Sequence, residues 1–240
     1  MNNEPISDKS IFSRNDYYKI LIDKYGIDSR NALSYALRRD LADGIIVHVG
    51  RDQYSYPQGK RVYSHNYSDE AARIAEEIHS HYAEVDFQIF ELTQLNAFVN
   101  HLIARNTIFV AVENDAIDYV FETLRNIYPG QTMLKPTVDD YYRYLVDDQI
   151  VVGRLPSETP TGTPEPWMSK LEKILVDVSV DKLLSRIVSE SEYDYIFQEA
   201  FNRYILDFKA MWRYAGRKGA LTKFRSILNK HSGGALGGQV

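Results

Sequence analysis

Not one cysteine occurs in the 240 residues of this chain. Disulfides and thiolate metal sites are therefore excluded, and the composition fits a cytoplasmic address. Long apolar runs are missing as well, since none approaches the roughly 18 residues that cross a bilayer. The opening MNNEPISDKS is polar and carries no signal-peptide hydrophobic region. A cytoplasmic protein with no membrane partner is expected. Several catalytic signatures are also absent: a P-loop, a G-x-G-x-x-G loop, an H-E-x-x-H helix and a G-x-S-x-G elbow. Nor is there the G-S strand-turn followed by paired acids that nucleotidyltransferases commonly carry.

What is present is the composition of a folded protein, with 44% hydrophobic and 25% charged residues. The length allows one large domain or two modest ones. Eighteen tyrosines favour much half-buried surface. The net charge of −5 is unevenly spread: residues 1–63 hold ten Lys/Arg against eight Asp/Glu, which leaves −7 for the rest. From Arg203 to Lys230 the balance reverses, with eight basic residues and the single acid Asp207. Basic patches of this kind can meet a polyanion, although solvated faces account for most charge clusters.

Residues 1–13 read as an N-terminal arm. Asn15 is a candidate cap for a helix over DYYKILIDKYG, with Tyr18, Leu21, Ile22 and Tyr25 at helical spacing and Gly26 as its stop. Asp28 or Ser29 can cap a second helix reaching Ala42, which Gly44 ends. IIVHVG and QYSYPQ then read as two strands turned at Gly50-Arg51-Asp52, closing a first domain over 14–63. SDEAARIAEEIHSHYA predicts a linker helix within 64–84. Over 85–230 strands and helices alternate: VDFQIFEL, a helix over TQLNAFVNHLIA, TIFVAVE, the helix DAIDYVFETLRNIY, QTMLKP, the helix VDDYYRYLVD and IVVGRL. Such alternation predicts an α/β layer of undetermined strand order. PSETPTGTPEP predicts a loop. Three helices follow, over WMSKLEKILVDVSVDKLLSRI, EYDYIFQEAFNRYILDFKAMWRYAGRKG and LTKFRSILNK, before a disordered tail at 231–240.

On a helical wheel Asn31, Ser34, Tyr35 and Arg38 fall on one stripe, opposite Ala32, Leu33, Ala36, Leu37 and Leu41. The polar stripe offers an amide, a hydroxyl, a phenol and a guanidinium, groups that can meet base edges and phosphates. Asp40 and Asp43 fall on the apolar half, so the last turn is expected to unwind or tilt. Arg51 at the hairpin tip, with Lys60 and Arg61 beyond it, completes the plan of a winged helix-turn-helix: a helix for the major groove and a wing for the backbone or minor groove. The plainer reading is a helix packed on a hairpin for stability, or the same fold used for protein contact.

The stretch ending in LADGIIVHVGRDQYSY resembles the N-terminal winged helix of AbiEi-type antitoxins, through Asp43-Gly44-Ile45-Ile46, Gly50-Arg51 and Tyr54. It departs at Asp52, where that family usually has a second glycine. LTQLNAFVNHLIARNTIFVAVENDAIDYVFETL is similar to the opening of the family's second domain, LEKILVDVSVDKLL to its helical LEKiLVD signature, and WRYAGRKG to a late rYAkRRg element. Together these span most of residues 29–220. The resemblance implies a type IV toxin–antitoxin antitoxin, which represses its own operon by binding inverted repeats in promoter DNA. Its second domain would counteract a nucleotidyltransferase-like toxin, in that family generally without a stable complex. The resemblance carries DNA-binding roles to Asn31, Ser34, Tyr35, Arg38 and Arg51, and the basic pattern beyond the hairpin adds Lys60 and Arg61 to the expected DNA-binding residues. The expected fold class is α/β: an N-terminal winged helix-turn-helix followed by a larger α/β domain with a helical C-terminal part. No catalytic residue, metal or cofactor is assigned.

Two rival readings compete with this one. A protein-interaction module could keep the winged helix only as a scaffold. A restriction-endonuclease-like enzyme could use Asp86 and Glu113 to hold Mg²⁺, but the lysine of an E-x-K element is replaced by Asp115, so the two acids are expected to be strand-end solubilising groups and the scaffold at most a degenerate nuclease. His79 and His81 lie two apart on a helix and point in different directions, which suits surface histidines. Lys173 and Asp177 form an i,i+4 pair, for which a helix-surface ion pair worth a few tenths of a kcal/mol is the default. Lys209, Arg213 and Arg217, continued by Lys218, predict a basic ridge that is either a solvated amphipathic face or a surface for nucleic acid or an acidic partner, with Phe208, Met211, Trp212 and Ala215 on the buried side.

Overall fold

A computed structural model describes residues 11–27, 29–42, 45–162 and 164–231. Of the expected tail at 231–240, His231 is buried at the end of a helix, and the rest lies outside the described residues, as does most of the expected arm. The chain is mixed α/β and divides into two compact units, Met1–Ser64 with Ala200–Asp207, and His65–Glu199 with Phe208–Val240.

The first unit contains β1 (Phe12–Ser13), α1 (Arg14–Tyr25), α2 (Arg30–Ala42), β2 (Val47–Gly50) and β3 (Gln53–Ser55). Its antiparallel sheet has the order β1-β3-β2. Phe12 lies opposite Tyr54, so the expected arm already contributes a strand at residues 12 and 13. Ser13, not Asn15, caps α1: its hydroxyl accepts from the Asp16 N–H while the Asp16 side chain accepts from the Ser13 N–H. That reciprocal box satisfies two N–H groups at once, which a cap at Asn15 would leave open. Gly26 ends the helix in the left-handed region at φ 61°. The core gathers Phe12, Tyr17, Leu21, Leu33, Ala36, Leu37, Ile46, Tyr54 and Tyr56. Burying each large apolar side chain stabilises the unit by about 1.5–3 kcal/mol.

Asp40 sits within this core without unwinding α2, which stays helical to Ala42. Its carboxylate accepts from the Tyr17 hydroxyl at 2.6 Å and from two Arg39 nitrogens at 2.9 and 2.8 Å. The acid on the apolar stripe is thus satisfied by a buried phenol and an exposed guanidinium; Asp43 lies outside the described residues. The late segment Ala200–Asp207 joins this unit through its backbone. The Arg61 N–H donates to the Arg203 carbonyl, and the Ile205 N–H donates to the Arg61 carbonyl, both at 2.8 Å.

The second unit is built on β4 (Phe87–Glu91), β5 (Thr107–Val112), β6 (Thr132–Leu134) and β7 (Gln149–Arg154), in the order β4-β5-β7-β6. β4 runs antiparallel to β5, whereas β5, β7 and β6 are parallel. Around them lie α3 (Asp69–His81), α4 (Ile117–Ile127), α5 (Val138–Tyr144), α6 (Leu171–Val180), α7 (Leu184–Ile187), α8 (Tyr193–Arg203), α9 (Phe208–Arg217) and α10 (Leu221–His231). One sheet face presents Ile89, Ile108, Val110, Val112, Ile150 and Val152 to a core shared with Ala71, Ile74 and Ile78 of α3 and Val120 and Leu124 of α4. The helix read as a linker is therefore part of this core. Its start is fixed to the sheet by Glu91, whose carboxylate accepts from the Ser68 N–H at 2.9 Å and the Ser68 hydroxyl at 2.6 Å. The opposite face presents Phe109, Met133 and Val151, which pack with Tyr141, Leu183 and Ile187.

Three expected helices are corrected. In place of one helix over 93–104 there is a 3-10 turn at Leu92–Ala97. The Asn96 amide accepts from the Ile103 N–H and donates to the Ile103 carbonyl, which closes a loop that competes with helix. The helix expected over 167–187 breaks at Asp181. There one carboxylate oxygen accepts from the N–H groups of Leu183 and Leu184 and so starts α7. Trp167–Ser169 is not helical and instead bridges the edge of β4, with Met168 beside Ile89. The third, over 192–219, divides into α8 and α9 around Tyr204–Asp207, where the backbone pairs with Arg61 instead.

Candidate functional site

In the first unit Leu33, Ala36 and Leu37 hold α2 against the core and turn its other face outward. Asn31 and Arg38 are exposed, and Tyr35 presents 66% of its surface. The expected stripe is thus brought together, with one difference. Ser34 is half-buried, and its hydroxyl lies 3.0 Å from that of Tyr18 on α1, so it ties two helices together. Arg38 Nε donates to the Ser34 carbonyl at 3.2 Å, which fixes the first part of that long side chain. Arg51 is exposed in the turn between β2 and β3. Asp52 beside it adopts φ 57°, the left-handed conformation that glycine takes most easily and that aspartate tolerates. The Arg14 guanidinium lies 3.4 Å from the Asp52 carboxylate and also donates to the Tyr54 hydroxyl, so it braces the turn. Lys60 is half-buried and Arg61 exposed, just after a 3-10 turn at Pro57–Gly59.

The second unit holds a feature that the sequence reading missed, a cleft of about 700 Å³ at the carboxyl ends of the parallel strands. Its floor is the sheet face carrying Phe90, Phe109 and Val151, which stand opposite one another on β4, β5 and β7. One row further along, Ala111 stands opposite Gly153, and those small residues leave the space open. A Cβ added at Gly153 would meet nothing within 4 Å. The walls come from the end of β6 through α5, from α6, and from the end of α9.

Lys173, Asp177, Tyr214 and Lys218 form a connected group beside this cleft. Asp177 accepts from Lys173 Nζ at 2.9 Å, Lys218 Nζ at 2.6 Å and the Tyr214 hydroxyl at 2.9 Å. Lys173 and Asp177 are only 4% and 6% exposed, so the expected surface ion pair is a buried one. The cause is α6 itself, which is covered along nearly its whole circumference. Burial pushes the Asp177 carboxyl up, but Lys173 and Lys218 outweigh it and hold the carboxyl down at about 2. Burial lowers the Lys218 ammonium, yet Asp177 and Asp181 raise it on balance. Tyr214 is driven well above the usual phenol range by burial and by Asp177, so it stays protonated as a donor.

The expected basic ridge is only partly one surface. Lys209 and Arg213 are exposed on α9, Arg217 pairs with Glu158, and Lys218 turns into the buried network. Met211, Tyr214 and Ala215 supply the buried side, while Trp212 is half-buried against Phe224 and beneath Arg225. Asp86 and Glu113 flank the ends of β4 and β5, where the Glu113 N–H donates to the Asp86 carbonyl at 2.9 Å. Among the described residues no group of three or more His, Asp or Glu could hold a metal ion. His79 is exposed and lies edge-on to Phe87, and exposed His81 bonds the Glu77 carbonyl. No helix among the described residues is long and apolar enough to cross a membrane.

These observations define a two-unit α/β protein with an outward helix-and-hairpin surface and a separate cation-lined cleft. The chain belongs to the family of unknown function DUF6577, whose sequence model matches residues 41–233. No curated protein matches it.

Proposed function

We propose that the protein is a DNA-binding transcriptional regulator whose first unit is a winged helix-turn-helix. The observation that carries this reading is the outer face of α2, where Asn31, Tyr35 and Arg38 project away from the Leu33–Ala36–Leu37 side. The strand-helix-helix-hairpin order and the β1-β3-β2 sheet support it, because they make α2 the helix immediately before the wing. Asn31, Tyr35 and Arg38 read base edges and adjacent phosphates. Ser34 serves mainly to orient α2 on α1. Arg51 at the hairpin tip, with Lys60 and Arg61, meets the DNA backbone. Asp52 fits the same plan, since it holds the left-handed turn position where the AbiEi-type pattern has glycine.

In this reading the protein is a cytoplasmic antitoxin of the type IV kind, without catalytic activity of its own. It represses its own operon at inverted repeats and counteracts a nucleotidyltransferase-like toxin. The support for the toxin is the resemblance of LEKILVDVSVDKLL and WRYAGRKG alone. A reporter gene placed behind the DNA upstream of this coding sequence tests the regulatory part. Wild-type protein should lower reporter output, and Arg38→Ala should restore it at equal protein level. No repression by the wild type would overturn the proposal and favour a protein-interaction module.

A further inference from the structure

We propose that the cleft of the second unit binds a nucleotide, with its phosphates among the basic side chains and its base over Phe109. The charge distribution is the first argument. Six cations line the cleft, Lys135, Arg154, Lys173, Lys182, Arg217 and Lys218, against the acids Asp177 and Asp181. Even after Glu158 is set against Arg217, three positive charges remain in surplus, in a chain whose net charge is −5. Concentrating like charge around a concavity is unfavourable in the absence of an anion, and the low-dielectric walls strengthen the attraction for one.

Lys173 supplies the second argument. Its ammonium is buried yet lines the cleft, and it carries three N–H bonds. Among the described residues Asp177 is the acceptor for one of them. The remaining donors suit oxygens brought from outside, and phosphate provides several such acceptors on one atom. Asp177, itself held by Tyr214, keeps the two lysines in position at the cleft wall.

Backbone strain is the third. Lys135 has φ 43° although it is not a glycine, and its N–H donates to the Val152 carbonyl at 2.9 Å. A residue with a Cβ is strained in that conformation, and such strain gathers at ligand-binding positions. It places Lys135 directly after β6, beside the end of β7 at Arg154, where ligands of open α/β sheets bind.

The size and floor of the cleft select the ligand. A volume of about 700 Å³ exceeds what inorganic phosphate needs and falls in the small-molecule range. Phe90 and Phe109 are stacked with centroids 5.7 Å apart, and half-buried Phe109 faces the opening with Val151. A planar base can lie on that apolar floor while the phosphates reach Lys135, Arg154 and the Lys173–Lys218 pair. The ligand is therefore a free nucleotide, and this assignment stands apart from DNA binding by the first unit.

Calorimetric titration of the full chain with ATP, AMP, adenosine and pyrophosphate tests the proposal. Saturable binding of ATP or AMP is expected, with pyrophosphate weaker and adenosine weaker still. Lys135→Ala and Arg154→Ala alter exposed rim residues and should each weaken nucleotide binding about tenfold, the value of one charge-assisted hydrogen bond. Gly153→Leu should abolish it by filling the open space, while promoter binding and the melting temperature serve as controls for folding. Absence of binding by both nucleotides would overturn the proposal, as would binding that survives Gly153→Leu. Pyrophosphate binding as tight as ATP would overturn the assignment of Phe109 to a base.

Discussion

Lys173 and Asp177 stand one helical turn apart on α6 with Nζ and Oδ2 at 2.9 Å, and both are buried. At a surface that spacing is worth a few tenths of a kcal/mol. In the interior, removing one partner leaves the other charge without compensation, which costs roughly 3–5 kcal/mol. Asp177→Leu is therefore predicted to destabilise the protein severely, because it strands two lysines. The comparison to make is urea unfolding of Asp177→Leu beside the double variant Lys173→Met/Asp177→Leu. Partial recovery of stability in the double variant is expected, since Lys218 loses Asp177 but keeps Asp181 at 3.5 Å.

The same carboxylate makes stability depend on pH. Its pKa is held at about 2 in the folded chain, below the ordinary value of 3.8. A depressed acid contributes stability that is fully present above its unfolded pKa and is lost as pH falls through the folded one. The contribution of Asp177 is about 2 kcal/mol near neutrality and fades between about pH 4 and pH 2. The stability difference between wild type and Asp177→Asn should shrink across that window. A difference that stays constant from pH 6 to pH 2.5 would count against the network.

Tyr214→Phe removes one donor from the buried Asp177 carboxylate and leaves the ring in place. A loss of about 1–3 kcal/mol is expected, since a hydrogen bond to a charged group is forfeited. Thermal unfolding followed by circular dichroism reads it.

At the hairpin, Asp52 holds a left-handed conformation that β-branched residues resist. Asp52→Val should lower stability by about 1–2 kcal/mol, whereas Asp52→Gly should be tolerated. If Val is as stable as Gly in a melting comparison, the turn does not have this geometry.

Much of the fold was legible because the core positions obey simple periods. The α2 stripe of Leu33, Ala36 and Leu37, the alternation along β5, and the Gly26 stop all follow from local pattern. What stayed hidden depends on partners distant in sequence. Asn96 closing on Ile103, Asp181 capping α7 and Arg61 pairing with Tyr204 are side-chain or backbone bonds that periodicity does not encode. The site divides the same way. Asn31, Tyr35, Arg38 and Arg51 were readable as one helix face and one turn. The cleft was not, because it needs Lys135, Arg154, Lys173 and Lys218 from four separate elements. Its one local clue was LEKILVDVSV, an apolar run too continuous for a surface helix, whose Lys173 and Asp177 were bound to be buried with it.

The most direct test of the regulatory account is equilibrium binding of the purified protein to its own upstream DNA and to random DNA of equal length, across several salt concentrations. The account predicts clear preference for the upstream DNA, lost in Tyr35→Ala and Arg38→Ala. It also predicts a salt slope that falls by roughly one in Arg51→Ala, as expected for one phosphate contact. Equal binding to both DNAs, with no change on altering Tyr35, Arg38 or Arg51, would contradict it.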